Sequence, residues 1–548
     1  MSISSPQSEF EKKAIDQQVI DRHAMEKLVS RNLWITVFAK VFHLVTRFFV
    51  PPLVLSFIGL EEFGIWAICF TIISYLGLGA FGISNVYVRY VAEYHAAHQM
   101  QKVNELISTG MFIVVSVMIV FLVSFWFLLP YLIEEVFNIP THLQQTAFIL
   151  FYGTACIFVF DMSLGVFKFI LNGLQKIAEV AMIWVACLTL ETILIIVFLF
   201  LDFGIYSLFL AYAIKQFISF ALYMILAFKV LPGLSISFRH VRKSYLGIFY
   251  RFGGVLQIAG ILGVILSSID KIVGGITLSM SAVGIISVGT RLPAMARTIP
   301  SAMNAVFLPA TSYMHTQNRH EEMLAMFLRG SRSISLLTGF IMAFMTAYAQ
   351  FILVAWLGAK PEFVQAGIIM SYFAIPQHFH ALTGPGSAFF KGIERPGLSL
   401  IYPIVRLSLI TISILLFANF FEITTISLIL IISITTIASA IAYVLYINNF
   451  LEISNVLFFK QVVFPGAVSY IVAFGLYGIS SYFLGDTSLT RWQTAGFVFV
   501  SGIVYSLMAA IVMYSFIYNT DERKFAKRKF RKLLRKLGLA KQPFPPQN

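Results

Sequence analysis

Charge is what this sequence has least of. Asp, Glu, Lys and Arg together make up 12% of its 548 residues, where soluble globular domains carry about 25%. Acids are the scarcer sign, 25 against 39 Lys and Arg, for a net charge of +14. Cysteine is nearly absent. Cys69, Cys156 and Cys187 all fall in apolar runs, match no metal or redox spacing, and read as small core residues. Such a composition excludes a soluble multidomain protein. The long apolar runs exclude an outer-membrane barrel, whose strands alternate over about ten residues. Neither a metal nor a cofactor is expected. The first thirty residues are polar and hold no cleavable leader, so the first apolar helix should start insertion and remain.

What is abundant is apolar surface: 59% of residues, with a mean hydropathy of +0.85. The expected class is an all-α integral membrane protein. Fourteen spans are predicted, near 33–58, 64–86, 106–130, 146–170, 180–201, 204–229, 248–275, 282–308, 333–357, 363–390, 398–421, 424–449, 461–484 and 492–518. Each is long enough for a hydrocarbon core of about 30 Å. The N-terminal segment, alternate loops and the C-terminal tail hold 28 Lys and Arg, while the opposite loops hold only Lys360 and Arg491. The positive-inside rule then puts both termini in the cytoplasm.

The chain also repeats itself. Phe63-Gly64-Ile65 and Val283-Gly284-Ile285 stand 220 residues apart, as do Asp202 and Glu422. Asn172-Gly173-Leu174-Gln175-Lys176 returns as Lys391-Gly392-Ile393-Glu394-Arg395 at an offset of 219. Six spans separate each pair, so two six-helix lobes of like orientation are expected. They cover 33–230 and 248–450. A cytoplasmic segment 1–32 precedes them, a linker 231–247 joins them, and spans 13–14 (451–518) and a basic tail (519–548) follow.

Nine Lys or Arg remain inside spans: Lys40, Arg47, Lys168, Lys215, Arg251, Lys271, Arg291, Arg297 and Arg406. Lys168, Arg251 and Lys271 lie near an end and can snorkel. Arg47, Lys215, Arg291, Arg297 and Arg406 lie deep. Each would cost about 2.5–3.5 kcal/mol facing lipid, so all should face protein or water. The spans offer three clear acids, Asp161, Glu191 and Asp270, too few to neutralise them. The excess predicts a hydrated cationic cavity lined by these five with Lys40, suited to an anionic ligand. Lys40, His43 and Arg47 share one helical stripe. Pro293 and Pro300 predict a kinked eighth span. Glu191 is the leading candidate for a proton or Na⁺ site, with Asp161 and Asp270 behind it. A partner for Arg47 or Lys215 is the other reading of Glu191. In the tail, Phe530, Leu533, Leu534 and Leu537 punctuate a run of cations from Arg523 to Lys536. That pattern predicts an interfacial helix on anionic lipid rather than nucleic-acid binding.

The runs Phe63-Gly64-Ile65-Trp66-Ala67, Gly77-Leu78-Gly79 and Arg89-Tyr90-Val91-Ala92-Glu93-Tyr94 resemble the polysaccharide (O-antigen type, Wzx) flippases. So do Asp270-Lys271-Ile272-Val273-Gly274 and Leu308-Pro309-Ala310. That family belongs to the multidrug/oligosaccharidyl-lipid/polysaccharide exporter superfamily. The resemblance implies lobes that open alternately to each side. It also implies an undecaprenyl-diphosphate-linked oligosaccharide as substrate, ion coupling, and work beside other polysaccharide-assembly proteins. Fourteen spans also occur in lipid II flippases, but their arginine-rich first span is missing here. A multidrug or cation exporter on the same fold is the other alternative, and the excess of fixed cations argues against cationic drugs as its cargo. An enzyme using the same lipid-linked donor would need a larger outer loop than any found here, so no enzymatic activity is expected.

Overall fold

The computed structural model describes residues 6–76, 83–251, 254–484, 489–520, 522–524 and 527–529. Among them there is no β-strand. The chain divides into two compact units, residues 1–287 with 423–425, and residues 288–422 with 426–548. The first holds α1 (Pro6–Phe57), α2 (Leu60–Leu76), α3 (Ile83–Ala96), α4 (Met100–Tyr131) and α5 (Thr141–Leu164). It continues with α6 (Val166–Gly173), α7 (Ile177–Phe200), α8 (Tyr206–Val230), α9 (Leu246–Arg251) and α10 (Gly254–Thr277). Helix α11 (Met280–Ala296) begins there and ends in the second unit. The second unit holds α12 (Thr298–Met303), α13 (Phe307–Thr316), α14 (His320–Ala347), α15 (Ala349–Leu357) and α16 (Glu362–Gly392). After these come α17 (Ile401–Ala418), α18 (Thr425–Phe450), α19 (Asn455–Phe458), α20 (Phe464–Leu484) and α21 (Arg491–Val512).

Among the described residues, ten helical stretches are long and apolar enough to span a bilayer, and eleven if the pair α14 and α15, bent by 75°, is one span. Three of the fourteen predicted spans fall outside that count. The second runs partly over residues 77–82, outside the described residues, as does the Gly77-Leu78-Gly79 motif. The eighth is broken: α11 stops at Ala296 and α12 starts at Thr298. Pro300 has no N–H to give the Ala296 carbonyl, so one rung of the ladder is missing, and it resumes with the Ser301 N–H on the Arg297 carbonyl at 3.1 Å. The tenth is the continuous helix α16, but Pro376, Gln377, His378, His380 and Pro385 lower its hydropathy. The N-terminal segment is not separate from the first span, since α1 runs through both. Phe530, Leu533, Leu534 and Leu537 lie outside the described residues.

The repeat is written in the backbone. Left-handed residues end helices at His98 and Asn318, at Asn138 and Gly358, at Gln175 and Glu394, and at Gly233 and Glu452. The offsets within these pairs are 220, 220, 219 and 219. A helix that stops in the left-handed region reverses direction in a fixed way, so both copies turn their hairpins alike.

The compact units do not coincide with the repeat. Helix α2 packs on α10 and the first turn of α11, which draws these into the first unit. The reason is glycine. A Cβ on Gly64 would run into the Met280 carbonyl oxygen and lie 3.0 Å from the Gly284 nitrogen. A Cβ on Gly284 would run into the Leu60 carbonyl oxygen. Leu60 pairs with Met280, and Gly64 with Gly284, at an offset of 220. Each repeat thus presses its glycine onto the other's main chain, as small residues do where membrane helices cross closely.

The core of the first unit lies between α3, α4, α6 and α8, around Leu106, Ile107, Ile170 and Leu171. That of the second is aromatic. Tyr348 stacks with Phe344 at 4.7 Å, and Phe351 meets Phe497 edge-on at 4.9 Å. Phe127, Phe200 and Phe516 stand exposed, as lipid-facing side chains should. Tyr482 near the end of α20 and Trp492 near the start of α21 are exposed, as interfacial aromatics are.

The predicted linker is no loose tether. Asn104, Glu105, Ser108 and Thr109 form one polar stripe on α4, and residues 233–245 lie along it. Asn104 donates to the Gly233 carbonyl at 3.1 Å and accepts from the Ser235 N–H at 3.0 Å. Ser108 and Thr109 accept from the N–H groups of Ser237 and Arg242 at 3.2 and 2.9 Å. Glu105 takes the Arg242 guanidinium at 3.5 Å and the Tyr245 hydroxyl at 3.5 Å. The stripe satisfies a backbone that has no ladder of its own. Burial, then Tyr94 and Glu105 alongside, push the Tyr245 phenol up to about 12 from the usual 10.0. A raised folded-state value gives stabilisation that is complete below about pH 10 and fades as pH climbs to about 12. Glu105→Gln should shift this ionisation back toward 10.0. Phenolate absorbance of wild type minus Tyr245→Phe would read it.

Candidate functional site

The intramembrane charges gather in two places, one in each unit, and the two differ in sign balance. In the first unit, α1, α5, α7 and α8 bring together Arg47, Asp161, Glu191 and Lys215. Glu191 is buried, with Arg47 Nη2 at 3.8 Å and Lys215 Nζ at 3.9 Å from its two oxygens. Both exceed hydrogen-bond length, and Glu191 Oε2 is buried without a hydrogen bond. Lys215 donates instead to Gln216 Oε1 at 3.1 Å and lies 4.7 Å from the Tyr212 ring centroid. Gln216 also hydrogen-bonds Asp161, which lies within electrostatic reach of Lys168 and Lys215. Two carboxylates thus answer Arg47 and Lys215. Of the two readings of Glu191, the ion-pair partner is realised, and for both cations at once.

The second unit has no such answer. Its expected spans 288–308, 333–357, 363–390, 398–421 and 424–449 contain no Asp or Glu. Arg297 stands between α11 and α12, one residue after α11 ends. Its Nη1 donates to Gln377 Oε1 on α16 at 3.1 Å. Arg406 on α17 is buried at 6% exposure. Its Nε donates to Thr436 Oγ1 on α18 at 3.0 Å. Arg406 also hydrogen-bonds the Tyr402 hydroxyl, which reaches Ser439. Tyr402 lies 2.6 Å from His380 Nδ1. Arg297, Arg406 and His380 sit within electrostatic reach of one another. Deeper in α16, His378 Nε2 meets Ser335 Oγ at 3.1 Å. Among the described residues the two guanidiniums are held by neutral oxygens and by no carboxylate, which is the chemistry of an oxyanion site.

The other sequence candidates lie on α1, α10 and α11. Lys40 is exposed on α1, seven residues before Arg47. Arg291 is half-buried on α11. Asp270 is buried on α10 and accepts from its neighbour Lys271 at 3.4 Å. His43 packs on the Trp184 ring at 5.1 Å. Sequence reasoning passed over Gln377, His380, Tyr402 and Thr436. The available signal was three polar side chains, Gln377, His378 and His380, on one apolar span.

Residues 29–315, just over half of the chain, match the family model described as polysaccharide biosynthesis protein. No curated protein matches the sequence. Among solved structures, the lipid II flippase MurJ in an inward closed conformation aligns with a TM-score of 0.64. It is 14% identical, over 88% of this chain and 98% of its own. An inward-facing multidrug resistance MATE family transporter of the MOP superfamily aligns at 0.63 with 16% identity, over 77% and 98%. A point mutant of the Vibrio cholerae MATE transporter VcmN aligns at 0.54 with 14% identity, over 79% and 99%. These likenesses carry the fold, and the family match carries the membership: the chain belongs to the polysaccharide biosynthesis protein family, built on the helical fold of the MATE and MurJ transporters.

Proposed function

We propose that this chain is a flippase. It carries an anionic oligosaccharide, linked to undecaprenyl diphosphate, across the bacterial inner membrane by alternating access. The observation that carries this reading is the pair Arg297, half-buried, and Arg406, buried, held by neutral oxygens with no Asp or Glu in the expected spans of their unit. A diphosphate or an acidic sugar supplies the missing negative charge, and planar guanidiniums can take its oxygens in pairs. Arg291, in the same unit, and Lys40, in the first unit, are the further cations proposed to meet the ligand. With both termini cytoplasmic, the Gly64–Gly284 contact lies toward the outer face.

Coupling to H⁺ or Na⁺ fits the first unit. Glu191 holds two cations at more than hydrogen-bond length and keeps Oε2 free of hydrogen bonds. Such a carboxylate can trade a cation partner for a proton or Na⁺ at lower cost than a bidentate pair could. Asp161 is joined to it through Gln216 and Lys215. Asp270, already bonded to Lys271, is the weaker candidate.

The test is rescue in two hosts, one lacking a polysaccharide flippase and one lacking the lipid II flippase. Surface glycan should return in the first. Glu191→Gln should flatten the dependence of export on the proton or Na⁺ gradient. Rescue of the second host alone would make lipid II the substrate. Rescue of neither would sink the reading.

A further inference from the structure

A crevice of about 710 Å³ opens between α14 and α21. Its deep walls are apolar, with Leu336, Leu337 and Phe340 facing Ala510 and Met513. Its mouth carries Arg329 and Arg332. Arg332 is fully engaged. Its Nε and Nη2 hold Glu522 at 2.7 and 3.1 Å, and its Nη1 and Nη2 take the Gln461 and Ile517 carbonyls at 2.6 Å. Both carbonyls lie in π-helical turns that leave them open. This residue fixes one wall and docks the start of the tail.

Arg329, one turn earlier, is exposed at the mouth. Among the described residues no carboxylate lies within ion-pair distance of it. From Arg329 to Phe340 the helix rises about 16 Å, enough to lay down about a dozen methylenes. Arg523, Lys524, Lys527, Arg528 and Lys529 follow the docked Glu522. They add positive charge next to it along the chain.

We propose that this crevice binds a bilayer phospholipid with an anionic headgroup. Its phosphate rests on Arg329 and one acyl chain runs between α14 and α21. The charge complementarity selects an anionic over a zwitterionic headgroup, and the apolar depth selects a lipid over a soluble anion. The proposal stands apart from the flippase reading, since it concerns no transported molecule.

Native mass spectrometry of the full chain, in micelles doped with phosphatidylglycerol or phosphatidylethanolamine, tests it. Wild type should retain phosphatidylglycerol preferentially. Arg329→Ala should lower that retention about fivefold, the factor that corresponds to about 1 kcal/mol for one basic residue at an anionic surface. Leu337→Trp, which fills the cleft and keeps the charge, should lower it too. Lys243→Ala, exposed on the linker, should not. Unchanged retention in Arg329→Ala would overturn the proposal, as would an equal loss in Lys243→Ala. Displacement of phosphatidylglycerol by equimolar undecaprenyl phosphate would also overturn it and assign the crevice to the carrier lipid. Glycan export is not read in this experiment, so its failure leaves the flippase reading untouched.

Discussion

Arg406→Ala should cut glycan export about 10- to 100-fold while leaving the protein at least as stable as wild type. Arg406 is buried, and among the described residues its guanidinium meets Thr436 and Tyr402, with Arg297 as its charged neighbour. Deleting it removes like-charge repulsion and strands no carboxylate, so folding has little to lose. The ligand loses a charge-assisted contact of about 1.5–3 kcal/mol, which is about 10- to 100-fold in binding. The double variant with Arg297→Ala should lose the two contributions together, short of full additivity because the sites touch. Arg406→Lys should recover only part, since an ammonium keeps the charge and forfeits the paired N–H donors. Surface-glycan staining beside thermal unfolding separates the two effects. A structural role would lower the unfolding temperature along with export. Wild-type export in the double variant would remove the anion site from the mechanism.

Gly64→Leu should abolish export through a different route, and Gly284→Leu should do the same. At each position the new Cβ meets a main-chain carbonyl of the repeat-related helix, Met280 or Leu60. A main chain cannot rotate aside as a side chain can, so the helices must separate. Overpacking a tight contact costs about 1–3 kcal/mol, and every 1.4 kcal/mol shifts a two-state equilibrium about tenfold. Gly64→Ala, the milder change, should displace the population toward states with this contact open. A single cysteine at Ser281, with Cys69, Cys156 and Cys187 replaced, should react faster with an impermeant maleimide in that background. Identical reaction rates in the Ala variant and its parent would show that the contact gates nothing.

Much of this could be read from the sequence, and the limits have physical causes. The excess of cations over acids was visible, because charges in apolar runs are few enough to count one by one. Pro293 and Pro300 announced the break at Arg297, since proline acts locally. The repeat was visible in short motifs, and the left-handed caps bear it out. Its contact was not: Gly64 and Gly284 were plain as markers, but a marker does not say that two glycines press on each other's backbone. Nor could the sequence say which cations pair. Arg47, Glu191 and Lys215 are brought together by the rotation of three helices about their own axes. A helix with a broad apolar surface does not declare that rotation. Lys40, His43 and Arg47 share a stripe, yet Lys40 is exposed while Arg47 reaches a buried acid. Gln377, His380, Tyr402 and Thr436 were passed over because each alone is unremarkable. Their meaning comes from the guanidiniums beside them.

The stretch from Gly233 to Tyr245 has one more implication. A surface loop is ordinarily the safest place to insert a tag or a protease site. This one has committed its main chain to side chains of α4, at Gly233, Ser235, Ser237 and Arg242. Extra residues placed there would shift every later donor out of reach of its acceptor. For all its length and polarity, it belongs to the wall of the first unit.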